Sequence, residues 1–456
     1  MGLSAPSSRL ARLLAVGTLA VLVPLLAMAA KPARLPRTRV VIEDVTASFA
    51  GPSTRAQLLA GGLDALMRLA PGTSYQADGA RLTITARGKA WVVDTSAMIS
   101  DTEVAGALER AVLKAGPRGC QPDVDDAVAS GIVNALGDRH SSYLKAFYVQ
   151  RLGYTPGELL GDPGIDPTFH GGAMVVRSVA PGSSAATAGL APGQILRRVD
   201  NINVDGLSLG EVSALLLGQS TSPVSVVVQP DAQAGPVTHR LVRDPPYALE
   251  PHIRRVGHAL HVVPGPLLGN AHIAIRQALA DRGDVAGVVL DLRGNGGGKV
   301  GDGVAVADLF AGKGPLAQVQ GRAGRPAERY DGRDGDPGEG VPLVILVDGR
   351  TASASELVAL VLRERRGVRL MGCRSYGKGS VQKLLPIEGG ALLKITSGHY
   401  LSAGGTSVGD GLEPDVPLPL DSLSRRGEEG ELARDAWLKA AHDALATPPP
   451  SSAPAP

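Results

Sequence analysis

The stretch VPLVILVDGRTASASELVALVLRERRGVRLMG (residues 341–372) reads as strand, turn, helix and returning strand. Residues 341–349 form a short, continuous apolar run of the kind buried on both faces of a sheet. Residues 356–363 then carry a helical pattern that stops at Gly367, and residues 368–372 return as a strand. A second strand–turn–helix lies upstream in VAGVVLDLRGNGGG (residues 285–298), with a helical pattern from 300 to 310. Alternation of this sort predicts an α/β core of strands with flanking helices.

The helix of the first stretch opens at Ser353. Free backbone N–H groups and the positive dipole end at a helix start favour an oxyanion, and the Ala354 amide is the natural first donor. A serine hydroxyl is a weak nucleophile and needs a base. YGKGSVQ (residues 376–382) brings Lys378, set between two glycines on the way into a strand. Lysine serves as that base when burial pulls its pKa toward the working pH. Gln382, four residues on, shares a face with Lys378 in either a helical or an extended segment, so its carboxamide can hold the amine without adding charge. The glycine turn offers a second oxyanion donor, Gly297 or Gly298. A serine at a helix start is commonly only a cap, and glycine turns recur in many α/β folds. Ser355 is a fallback nucleophile, and Glu356 is assigned capping or local hydrogen bonding with no chemistry.

Five motifs occur in one order: GDRHSSYL (137–144), DLRGNGGG (291–298), TASASE (351–356), YGKGSVQ (376–382) and GDGLEPDV (409–416). Together they resemble the C-terminal processing peptidases, or tail-specific proteases, over roughly residues 123–416. The resemblance implies a mixed-sheet protease core with crotonase-like β-β-α elements, an inserted PDZ-like domain and a mainly helical N-terminal region. It implies Ser353 as nucleophile, Lys378 as general base and later general acid, and Gln382 as the lysine-positioning group. Ala354 and Gly297 would be the oxyanion donors. Cleavage near the C-termini of proteins through an acyl-enzyme, with no metal or cofactor, follows from the same likeness. His140 matches a position that is not catalytic in the family. Two departures stand out. The family's NPGG is Asn295-Gly296-Gly297-Gly298 here, which frees a φ angle and adds an N–H. Cys373 stands where an acidic residue is usual.

The expected domains are a signal peptide (1–30), an N-terminal region (31–151), a PDZ-like domain (157–232), the protease core (245–425) and a disordered tail (447–456). In the N-terminal region, residues 54–69 and 123–136 read as helices, and 81–86 with 90–94 as a hairpin-like insertion. In the PDZ-like block, residues 173–179 form a strand, 207–217 the second helix and 224–229 the closing strand. Such domains capture a peptide C-terminus by strand addition and hold its carboxylate in a backbone nest. Here the loop ahead of the capture strand is Gly161-Asp162-Pro163-Gly164-Ile165-Asp166-Pro167, whose prolines cannot donate to a ladder. Residues 321–340, rich in Gly, Arg and Asp, read as an exposed loop.

Arg9 and Arg12 precede an apolar run from 13 to 27, and Ala27-Met28-Ala29 fits a cleavage site, so export to a bacterial periplasm or envelope is expected. Left uncleaved, the run would anchor the chain to a membrane. Cys120 and Cys373 either pair as a disulfide or remain separate thiols. A net charge of +2 and 3% aromatic residues give no field or stacking surface for nucleic acid. His252, His258, His261 and His272 show no metal-ligand spacing. The expected partners are protein or peptide substrates with apolar C-terminal tails, with an adaptor or oligomer left open. Two other readings compete: a catalytically weak or inactive PDZ-containing peptide-binding protein, and crotonase-like acyl-CoA chemistry, against which export and the PDZ-like block count.

Overall fold

The structure is a computed structural model. It describes residues 35–117, 121–152, 160–180, 182–231, 233–245, 250–322, 326–419 and 435–446. The segments expected to be a signal peptide (1–30) and a disordered tail (447–456), and Cys120, lie outside these residues; Cys373 is a free, half-buried thiol.

Four helices begin the described chain, with a meander between the second and third: α1 (Pro36–Ser48), α2 (Arg55–Leu69), β1 (Ser74–Asp78), β2 (Arg81–Ala86), β3 (Lys89–Asp94), α3 (Asp101–Ala115) and α4 (Gln121–Asn134). The Thr54 hydroxyl caps α2 by accepting the Gln57 amide. Gly61 of α2 faces Gly131 of α4 so closely that a Cβ on Gly61 would sit 2.5 Å from the Gly131 carbonyl oxygen. The glycines that weaken α2 as an isolated helix are what let the two helices cross. The expected hairpin is the second half of a three-stranded antiparallel meander. Asp125 fixes α1 to α4 by accepting the Arg37 and Thr38 amides, each at 2.9 Å.

After β4 (Ser142–Leu144) and α5 (Ala146–Leu152) comes a second module: β5 (Ile165–His170), β6 (Ala173–Val179), α6 (Ser184–Thr187), β7 (Ile195–Val199), β8 (Ile202–Asn203), α7 (Leu209–Leu216), β9 (Pro223–Gln229) and β10 (Val237–Val242). Its sheet runs β10-β9-β7-β6-β5, with β8 paired to β7. Strand β10 carries this sheet past residue 232 by pairing with β9.

The rest of the chain holds β11 (His252–Val256), β12 (Ala259–Val263), α8 (Ala271–Ala280), β13 (Gly287–Asp291), α9 (Val300–Ala311), β14 (Gly314–Gln320), β15 (Pro326–Gly332) and β16 (Leu343–Val347). It continues with α10 (Ala354–Arg366), β17 (Arg369–Gly372), β18 (Ser380–Ile387), β19 (Ala391–Ser402), β20 (Val416–Pro417) and α11 (Ala436–Ala446). The central sheet is β11-β12-β13-β16-β17-β20, parallel except where β11 joins β12. Its strands are apolar on both faces because both are covered. Val288, Leu290 and Ile345 point to the core under α8, α9 and α10, while Val289, Val344 and Leu346 meet Trp437 and Leu438 of α11. A second sheet, β15-β14-β19-β18 with β4 on β19, spans the two larger cores: Leu393 and Ile395 of β19 enter the N-terminal core and Tyr400 the central one.

The segment 321–340 differs from the loop expected of it. Residues 326–332 form β15, antiparallel to β14, because a neighbouring open edge supplies the ladder that local composition does not favour.

Candidate active site

Strand β16 delivers the chain to Asp348, and five residues later the backbone reverses sharply at Ser353. Ser353 has φ 57° and ψ −127°, a region a residue with a Cβ rarely enters, costing about 1–3 kcal/mol. Three bonds zip this turn to the glycine turn after β13. Asp348 accepts the Gly294 amide at 2.8 Å, the Thr351 hydroxyl donates to the Leu292 carbonyl at 2.8 Å, and the Ala352 amide donates to the Asn295 carbonyl at 3.0 Å. Gly297 (φ 91°) abuts the turn so tightly that a Cβ there would lie 2.6 Å from the Ala352 oxygen and 2.9 Å from the Ser353 Cβ.

Glu356, three residues after Ser353, is fully buried. Its Oε2 accepts the amides of Ser353 at 2.9 Å and Lys378 at 2.8 Å. Its Oε1 accepts the Gly377 amide at 2.8 Å and the Ser375 hydroxyl. One carboxylate therefore holds the serine turn and the lysine loop together. From sequence Glu356 is assigned capping or local hydrogen bonding; the signal for its wider role is its capping-box spacing from Ser353.

Ser353, Lys378 and Gly297 line one cleft of about 910 Å³, walled on its far side by β5 and α7. Burial and the Lys394 ammonium push the Lys378 amine down to about 8, with Glu356 acting weakly the other way. Lys394, on β19, lines the same cleft, and burial lowers its pKa too. His140 joins them and is pushed down to about 3 by burial and by Lys378, so it is neutral at ordinary pH.

Among the described residues no hydrogen bond joins the Lys378 amine to Ser353. The Ser353 hydroxyl instead lies beside the Tyr400 phenol, which donates to the Lys378 carbonyl. Gln382 does not meet Lys378 either; its carboxamide donates to the Ser380 hydroxyl at 2.7 Å. Strand β18 begins only at Ser380, after Gly377 turns the chain with φ 87°, so the shared-face argument stops short of Lys378. The Ala354 amide, first in α10, has no partner among the described residues, whereas the Gly297 amide donates to Asn295 Oδ1 at 3.0 Å. The Gly298 amide makes no such bond among them. Ser355 is fully buried and closed to substrate.

Residues 269–418 match the model for peptidase family S41, and residues 175–230 match a PDZ domain model. A carboxy-terminal-processing protease of Bartonella bacilliformis is 31% identical over 316 residues, 65% of this chain and 70% of that protein. A chloroplastic C-terminal processing peptidase of Tetradesmus obliquus is 31% identical over 345 residues, covering 69% and 72%.

The chain belongs to peptidase family S41.

It is a serine-type peptidase of the C-terminal processing group, with a PDZ domain ahead of its catalytic core, and its substrates are proteins or peptides. In fold it resembles a photosystem II D1 C-terminal processing protease, with a TM-score of 0.59 and 23% identity over 89% of this chain and 98% of that one. The S41 match takes in Ser353, Lys378 and Gln382, and the PDZ match begins at β6, so β5 and the loop before it fall outside it.

Proposed function

We propose that this peptidase is an exported endopeptidase that cuts protein substrates near their C-termini, with Ser353 as nucleophile and Lys378 as its base. The observation that carries the reading is the strained Ser353 facing the same cleft as a lysine whose amine is brought down to about 8. At neutral pH a useful fraction of Lys378 is unprotonated and can take the hydroxyl proton as Ser353 attacks the scissile carbonyl. The lysine then returns that proton to the leaving amine, and water attacks the acyl-enzyme by the same relay. The Ala354 amide stabilises the oxyanion, joined by the Gly297 or Gly298 amide. For Gly297 this requires Asn295 Oδ1 to release its amide. Gln382 would steady the lysine once Lys378 turns toward Ser353.

A latent resting state fits the observation that the Ser353 hydroxyl lies beside Tyr400 and not on the Lys378 amine. In that state the chain binds substrate and cuts weakly until the lysine engages. Movement of the PDZ domain would be the trigger. The charged run at Arg9 and Arg12 followed by residues 13–27 supports export to the cell envelope.

The test is cleavage of an unstructured protein with an apolar C-terminus by wild type, Ser353→Ala and Lys378→Ala. Loss in both variants supports the dyad. Cleavage that survives Lys378→Ala removes the lysine from the mechanism.

A further inference from the structure

Strand β5 is the open end of the PDZ sheet, and α7 packs beside it, so a bound segment would lie between the two, in the cleft that contains Ser353. Capture of a chain end there needs several free backbone amides in the loop before β5 to surround a carboxylate. Those amides are already engaged. Gly161 donates to the Gly218 carbonyl at 2.7 Å, and Asp162 donates to the Asp244 carbonyl at 3.0 Å. Residue 163 is proline and has no N–H. The Gly164 amide donates to Asp162 Oδ1 at 2.7 Å. The side chain of Asp162 thus sits in the nest as a carboxylate supplied by the chain itself. Nor is it free to leave, because the Asp244 amide donates to the Asp162 carbonyl at 3.0 Å and Arg350 pins the Asp244 carboxylate at 3.1 Å.

The open edge points the same way. The Ala180 amide donates to the Gly164 carbonyl at 2.9 Å, so Gly164 faces β6. Alternation along the strand turns the backbones of Ile165 and Pro167 to the open side. Pro167 has no N–H to give, which leaves Ile165 as the one amide on the open side at the loop end of the edge, the next being Phe169. A terminal carboxylate would find one donor and, next to it, the carboxyl group of Asp162. Burial raises the Asp162 carboxyl while the Gly164 amide and Arg350 pull it back. Protonated or not, its oxygen keeps the Gly164 amide.

We infer that Asp162 is a specificity-determining residue that closes the PDZ groove to a free C-terminal carboxylate, so that the groove seats an uncharged internal segment of the substrate. The inference rests on the chain acting on protein substrates, and it deepens that reading: the tail is chosen by its backbone and side chains, not by its terminal charge. An enzyme of this kind tolerates residues added beyond the segment it holds.

The test uses one fluorescent, unstructured peptide with an apolar tail, made as free acid and as C-terminal carboxamide. Binding is read by anisotropy on the full-length Ser353→Ala chain, so the result does not depend on whether Ser353 is the nucleophile. Failure of the proposed dyad would show only in the separate cleavage test. The expected result is equal affinity for acid and amide, within about twofold. Adding Asp162→Gly, which empties the nest, should tighten the acid by about tenfold relative to the amide, the worth of one or two charge-assisted hydrogen bonds. Asp162→Asn keeps the shape and the bond to Gly164 and should leave the ratio near one, a control that holds if the glycine variant folds poorly. A clear preference of the Asp162 chain for the free acid overturns the inference. So does a folded Asp162→Gly chain that gains no acid preference, an Asp162→Asn chain that does, or binding of neither peptide.

Discussion

One carboxylate oxygen of Glu356 accepts the backbone amide of Lys378 at 2.8 Å, and the same oxygen accepts that of Ser353 at 2.9 Å. The spacing of the proposed nucleophile and base is therefore set through a buried acid that belongs to neither. Glu356→Ala leaves three amides and a hydroxyl without this acceptor. The expected loss of stability is about 3 kcal/mol or more, read by urea denaturation. In chains that still fold, kcat should fall about a hundredfold with KM little changed, as for a misplaced reacting group. Unchanged kcat would show that the carboxylate does not position the pair.

The pH profile carries its own sign. The proposed base must be unprotonated, and burial and Lys394 bring Lys378 down to about 8, so kcat/KM should climb with pH up to about 8 and level above it. Lys394→Met removes the neighbouring ammonium, which raises the Lys378 pKa and moves the climb to higher pH. Activity near neutrality falls as a result. A Lys394→Met profile that coincides with wild type would leave burial as the sole cause of the shift.

Gly297→Ala tests the glycine turn. The position has φ 91°, and a Cβ would press on the Ala352 oxygen, the Ala354 amide nitrogen and the Ser353 Cβ. The added methyl displaces the Ser353 turn and the Ala354 amide together. We expect kcat to drop about a hundredfold or more while circular dichroism remains that of the folded chain.

Away from the cleft, Arg293 is buried between Asp291 and Asp435, with bonds of 2.7–3.0 Å to both. Asp435→Ala removes one of the carboxylates that hold the guanidinium and loosens α11 from the central sheet. The expected cost is about 3–5 kcal/mol, read by denaturation, with KM unchanged in the folded fraction.

The parts legible in the sequence were those whose signal is local. Residues 341–349 and 285–291 are uninterrupted apolar runs, so their burial in a parallel sheet could be read directly, and the TASASE turn followed from the helix behind it. Helix α1 was missed because its first residues, Pro36-Arg37-Thr38-Arg39, look polar. Thr38 is nonetheless fully buried, satisfied by Asp125 from far along the chain. The same limit applies at the site. Lys394 reaches the cleft, and Tyr400 the Ser353 hydroxyl, because β19 pairs with β18, and nothing near them in sequence marks that register. Gln382 shows the opposite failure, a local rule extended back to Lys378 although β18 begins only at Ser380 and its register shifts between Val381 and Gln382.

The backbone of Ser353 has a consequence for the life of the molecule. A glycine would occupy φ 57° without strain, so at this position durability and the proposed reactivity ask for different residues. The serine is retained against the preference of its own backbone. Its conformation is enforced by the surrounding bonds to Glu356, Asn295 and Leu292, and it lasts only as long as they do. Partial loosening of the fold should therefore silence the enzyme before it unfolds.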